Sequence, residues 1–133
     1  MSELVKVSET IAEALRRHKP VVALETTLVT HGLPHPRGLE AALELEEIVR
    51  AHGAVPATIG ILDGVVRVGL ERAELEKLAA AKEVAKVNPG NLAAVVASGG
   101  PGSTTVAATM FAAAAAGIRM FATGGIGGVH RDA

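Results

Sequence analysis

Three observations predict an α/β fold for this chain of 133 residues, a layered α/β/α sheet with one inserted β-hairpin. Short apolar runs bounded by Gly, Pro, Asn and Asp alternate with amphipathic helical stretches, which is how helices come to lie over a sheet. Asp63-Gly64 stands between two apolar segments and is the pair favoured for a two-residue type I′ turn, so one connection is antiparallel. Hydrophobic residues make up 49% and charged residues 20%, enough apolar material for a core and too much for disorder.

Each element follows from its own residues. Ser8 caps a helix running to His18, with Ile11, Ala14 and Leu15 on one face and Pro20 beyond its end. Val21 to Leu24 is a short buried strand, closed by Glu25-Thr26-Thr27 and then by a loop from Thr30 to Pro36. Gly38 to His52 forms the second helix, with Glu40, Glu44 and Glu47 on its solvated face and Gly53 at its end. Val55 to Leu62 and Val65 to Val68 flank the hairpin turn. Glu71 to Ala81 reads as a helix, Glu83 to Val87 as a strand ending at Asn88-Pro89-Gly90, and Asn91 to Ser98 as a short helix. The glycines of Gly99 to Thr104 precede a helix from Thr105 to Ala116, which Gly117 terminates. Ile118 to Ala122 is the last strand, and it opens into a glycine-rich segment, Thr123 to Ala133.

No linker or repeat divides residues 1–133, so they read as one unit. A final strand and loop would normally feed a further helix, and without it a strand edge and one sheet face lack cover. The chain is therefore expected to be the N-terminal portion of a single α/β domain whose sheet is incomplete because the C-terminal part is absent.

Composition removes several function classes. A formal charge of -1, from 13 Lys and Arg against 14 Asp and Glu, with Phe111 and Phe121 as the only aromatics, disfavours nucleic-acid binding. Without cysteine there is neither a disulfide framework nor thiolate chemistry. The first residues lack the charge and apolar run of an export signal, and the alanines from Ala112 to Ala116 are too few to span a bilayer. A cytoplasmic protein with no membrane partner is expected.

Ligands of open α/β sheets bind beyond the carboxyl ends of strands. Three reactive residues fall at such ends here: Glu25, Lys86 and, through the glycines, His130. A carboxylate, an ammonium and an imidazole brought together can share proton transfer and anion binding. Glu25 interrupts a hydrophobic run, so it must be solvated, paired or functional; a strand-terminal lysine such as Lys86 also commonly extends only to water.

Gly99 to Thr105 before a helix offers amides and hydroxyls to a phosphate, or is a capped glycine turn. It is no P-loop, because no Lys follows, and both Gly100 to Gly102 and Gly125 to Gly127 miss the third glycine of the dinucleotide fingerprint. His31 and His35 have a zinc-like spacing, but Gly32 and Pro34 between them oppose the helical presentation it needs.

Taken together, Ala23-Leu-Glu-Thr-Thr27 with His31-Gly32, Gly53 to Thr58, Ile61 to Gly64, Thr104-Thr-Val-Ala-Ala-Thr109 and Gly117 to Arg131 resemble the pseudouridine-5′-phosphate glycosidases, the indigoidine synthase A-like family. The match is collinear from the first strand to the end, and Phe121 to Arg131 is its most specific stretch. The resemblance implies reversible cleavage of the C–C glycosidic bond of pseudouridine 5′-phosphate to uracil and ribose 5-phosphate, formally a lyase reaction. It also implies a manganese ion and a homotrimer. It makes Glu25 the proton donor that opens the ribose ring, and Lys86, Val106, Thr105 and His130 substrate-binding residues, with Val106 acting through its backbone.

By the same resemblance, the Schiff-base lysine and the metal-binding Asp lie downstream of Arg131, so no metal ligand is expected in this chain. Asp132 departs from the small residue usual there. The chain alone is expected to be inactive. A non-catalytic module binding a sugar phosphate or a partner chain is the alternative, and a nucleotide-binding domain is opposed by the failed fingerprints.

Overall fold

The computed structural model describes residues 4–129 and 131–132. Its elements are β1 (Val5–Val7), α1 (Glu9–Arg16), β2 (Val21–Leu24), α2 (Arg37–Ala51), β3 (Val55–Leu62), β4 (Val65–Val68), α3 (Arg72–Ala80), β5 (Ala85–Val87), α4 (Leu92–Ser98), β6 (Gly102–Thr104), α5 (Val106–Ala116) and β7 (Met120–Ala122). Leu28–Gly32 adds a single π-helical turn after β2.

The strands make one seven-stranded sheet, ordered β1-β4-β3-β2-β7, with β6 joined to β3 and β5 joined to β6. Helices lie on both faces, as a layered α/β/α sheet requires, while the edge strand β7 is left largely exposed. On one face Ile11 and Ala14 of α1 and the small residues Ala108, Ala112 and Ala113 of α5 pack on Ala23, Ala57, Ile59 and Val68. Alanines at those positions let α5 lie close to the strands. On the other face Ala42 of α2 and Leu75, Leu78 and Ala79 of α3 pack on Leu62 and Leu70, with Val29 of the π-helical turn among them.

The hairpin forms at the predicted place, with positive φ at both Asp63 (52°) and Gly64 (71°), as a type I′ turn requires. Helix caps also form locally: Ser8 accepts from the amide of Ile11, and Glu71 and Glu74 make a reciprocal capping box. Glu40, Glu44 and Glu47 are exposed, whereas Glu46 between them is buried and accepts a 2.5 Å hydrogen bond from Thr58 of β3. The pairing of Glu46 with Arg50 at 3.2 Å supplies its countercharge.

One reading needs correction. Gly99 to Thr104 is not one loop leading into a helix, because Gly99 ends α4 in the left-handed region and Gly102 to Thr104 form β6 between β3 and β5. Gly102 is there for close packing, since a Cβ on it would stand 2.6 Å from Val87 Cγ2. The strand β1 has no counterpart in the sequence reading; its Val-Lys-Val alternation is three residues long, and it extends the sheet parallel to β4.

Candidate functional site

The strand β3 has two halves with different neighbours. Val55 to Thr58 pair in parallel with β2, while Gly60 and Ile61 pair antiparallel with β6. Since β7 runs parallel to β2 and β5 parallel to β6, two pairs of strands arrive from opposite directions. Their carboxyl ends meet beside the middle of β3.

The meeting point is stitched by threonines. Thr26 Oγ1 and Thr104 Oγ1 each donate to the carbonyl of Ile59 at 2.8 Å, and Thr26 Oγ1 accepts from the amide of Thr104 at 2.9 Å. Thr109 of α5 donates to Thr104 Oγ1 at 2.8 Å. All of these side chains are buried, so each polar group must find a protein partner, and each does.

Glu25 leaves this seam on β2. Thr27 Oγ1 donates to its Oε2 at 2.6 Å, and Thr123 Oγ1, from the end of β7, donates to its Oε1. The carboxylate lines a cavity of about 420 Å³ together with Thr27, Leu28, His31, Gly32, Leu45, Lys86, Gly124 and Gly125. An adjoining, mostly apolar recess of about 230 Å³ is lined by Leu24, Leu28, Leu45 and Ala122 and again reaches Glu25. The fold thus brings Glu25 and Lys86 to one cavity from strands on opposite sides of the seam.

Lys86 sits in the middle of the short strand β5 rather than at its end, opposite Ser103 of β6, and is exposed. Thr105 is the N-cap of α5: its hydroxyl donates to the carbonyl of Val87 at 2.8 Å and accepts from the amide of Ala108. The first turn of α5 therefore presents main-chain N–H groups at Val106 and Ala107, beside the strand that carries Lys86. Helix N-termini of this kind hold anions.

His130 lies outside the described residues. His31 lines the cavity from the π-helical turn, with Nδ1 at 2.7 Å from Thr30 Oγ1, which donates in turn to Ser103. His35 is beyond that turn and absent from this cavity wall, and it shares with His31 the lining of a separate recess. Among the described residues no group of three or more His, Asp or Glu comes together to hold a metal ion. Both Glu25 oxygens are already engaged by hydroxyls. Sequence reasoning passed over Thr27 and Thr123, although both are polar residues just past an apolar strand, the signal that singled out Glu25.

The family model for indigoidine synthase A like proteins matches residues 10–133. The chain belongs to that family. Among its relatives, a pseudouridine-5′-phosphate glycosidase of Rhizobium johnstonii is 56% identical over 129 residues, covering 97% of this chain and 41% of the relative. One of Escherichia coli is 53% identical over 132 residues, covering 98% and 42%. The crystal structure of the prealnumycin C-glycosynthase AlnA in complex with ribulose 5-phosphate superposes with a TM-score of 0.86 at 45% identity, over 98% of this chain and 42% of that one. An indigoidine synthase A-like protein of Thermotoga maritima gives 0.82 at 37% identity, over 96% and 41%. The chain spans about two fifths of the length of the curated relatives it matches. Among the described residues no helix is long and apolar enough to cross a membrane.

Proposed function

We propose that the protein carrying this chain is a pseudouridine-5′-phosphate glycosidase, reversibly cleaving the C–C glycosidic bond to uracil and ribose 5-phosphate. The observation that carries the reading is Glu25, just past the end of β2, and Lys86, within β5, on one cavity wall across the Thr26–Thr104 seam. In this role the protonated carboxyl of Glu25 gives its proton to the ribose ring oxygen as that oxygen leaves C1. The ring oxygen keeps the bonding pair and becomes a hydroxyl, and the electron-deficient C1 left behind draws electron density from the attached uracil ring. Lys86 and the free amides at the start of α5 supply positive charge for a phosphorylated substrate.

Covalent capture of C1 and the manganese ion enter the proposal through the resemblance alone. The described residues bring together no group of three or more His, Asp or Glu for that ion, and no step through it is assigned to this chain. A homotrimer and a cytoplasmic location belong to the same proposal.

The test is uracil release from pseudouridine 5′-phosphate with Mn²⁺ present, measured on the full-length protein and on these 133 residues alone. Turnover is expected only in the full-length protein, and Glu25→Gln should lower it by about 10²-fold or more, the usual contribution of a positioned acid. Full activity in Glu25→Gln would refute the assignment. Saturable ribose 5-phosphate binding with no uracil release by the full-length protein would instead favour a sugar-phosphate-binding module, which Lys86 and the α5 amides also suit.

A further inference from the structure

Thr123 follows β7 directly, and the register explains what it meets. Leu24 pairs with Ala122 across β2 and β7, so the next residues, Glu25 and Thr123, leave the sheet side by side. Thr123 Oγ1 donates to Glu25 Oε1, yet the same oxygen lies 3.1 Å from the carbonyl of Gly125 and 3.4 Å from its amide nitrogen. A hydroxyl has one proton and two lone pairs, so it can serve the carboxylate or the carbonyl, with a lone pair left to accept.

The geometry points to Thr123 as a positioning residue that holds Glu25 in both of its protonation states, an inference that rests on the glycosidase reading above. With Glu25 ionised, Thr123 donates to Oε1. With the proton on Oε1, the acid donates to Thr123 Oγ1, and the threonine proton turns to the carbonyl of Gly125, which already stands within reach. Thr27 donates to Oε2 in either state and keeps the carboxyl plane fixed.

Delivery of the proton reverses this exchange. The O–H bond at Oε1 breaks, a new O–H bond forms on the ribose ring oxygen, and the pair left on Oε1 accepts the Thr123 hydroxyl again. Two small turns accomplish it: the acid O–H swings from Thr123 to the ring oxygen, and the threonine hydroxyl rotates about its Cβ–Oγ1 bond back to the carboxylate. The glycine-rich segment thereby acts on the acid through Gly125 as well as lining the cavity.

The test compares kcat and KM for pseudouridine 5′-phosphate in the full-length protein with Thr123, Thr123→Val and Thr123→Ser. Valine keeps the shape and removes both donor and acceptor, so kcat should fall by about tenfold to a hundredfold with KM within about twofold, the penalty for a loosely held catalytic group. Serine keeps the hydroxyl and should stay within about threefold of the parent. Parental kcat in Thr123→Val overturns the inference, and so does Thr123→Ser as slow as Thr123→Val, or a loss confined to KM. If valine prevents folding, Thr123→Ala replaces it in the same comparison. No uracil release by the parent protein brings down the glycosidase reading and this role with it, whereas an active parent with unchanged Thr123→Val removes only the role of the hydroxyl.

Discussion

Thr26→Val removes one oxygen from the join between β2 and β6 and leaves the volume of the side chain almost unchanged. Thr26 is fully buried, and its hydroxyl is the partner of the Thr104 amide at 2.9 Å. The Ile59 carbonyl keeps Thr104 Oγ1 at 2.8 Å after the change, so the acceptor remains satisfied. The Thr104 N–H does not. A buried donor left without a partner costs about 1–3 kcal/mol. The substituted methyl is already in a packed site, which offsets less than about 0.8 kcal/mol of that, the value of one buried methylene.

A net loss of about 2 kcal/mol follows. With about 2.1 cal/mol/K of unfolding entropy per residue over the 133 residues, the midpoint falls by about 7 °C. Thermal unfolding followed by circular dichroism measures the shift, and amide exchange at Thr104 measures its cause. Thr26→Ser is the control: it loses a methyl but keeps the oxygen, so Thr104 exchange stays slow. If Thr26→Val unfolds with the parent and Thr104 exchanges no faster, the hydroxyl is not what fastens the two strand ends.

Lys86→Met should raise KM for the phosphorylated substrate by about 10- to 100-fold while changing kcat less, because a charge-assisted hydrogen bond contributes about 1.5–3 kcal/mol. An unchanged KM would place Lys86 outside the substrate's reach. Sedimentation equilibrium of the full-length protein should give three times the monomer mass, and a monomer at working concentration would remove the homotrimer from the proposal. Added to these are the loss of turnover in Glu25→Gln and the contrast between Thr123→Val and Thr123→Ser set out above.

What the sequence made legible is what short-range chemistry decides. The Asp63-Gly64 turn, the Ser8 cap and the apolar face of α1 depend on residues a few positions apart, and all form where they are expected. The site depends on partners that no window of sequence contains. Thr26 meets Thr104 across 78 positions, and Thr123 meets Glu25 across 98. The same limit hid β6. Its residues Gly102-Ser-Thr104 look like loop because neither glycine nor serine favours a strand, and only the narrow gap against Val87, with the pairing to β3 and β5, makes them one. Buried Glu46 escaped notice for a related reason: helical spacing places it near solvated glutamates, and the hydroxyl that donates to it in the core belongs to another element.

The position of the cavity then follows from one property of β3. In an open parallel sheet, neighbouring strands end at the same edge, and a ligand sits where their order reverses. Here the reversal occurs along a single strand, because β3 is eight residues long and each flanking pair covers only part of it. The ends of β2 and β7 therefore face the ends of β5 and β6 across the Ile59 carbonyl, in the interior of the sheet rather than at its rim. A carboxylate from one side and an ammonium from the other reach the same space without any long loop to carry them. Such a site is rigid where the strands join and adjustable only past their ends, at Thr123 to Gly125. That is where the structure offers the Glu25 acid a second hydrogen-bonding arrangement.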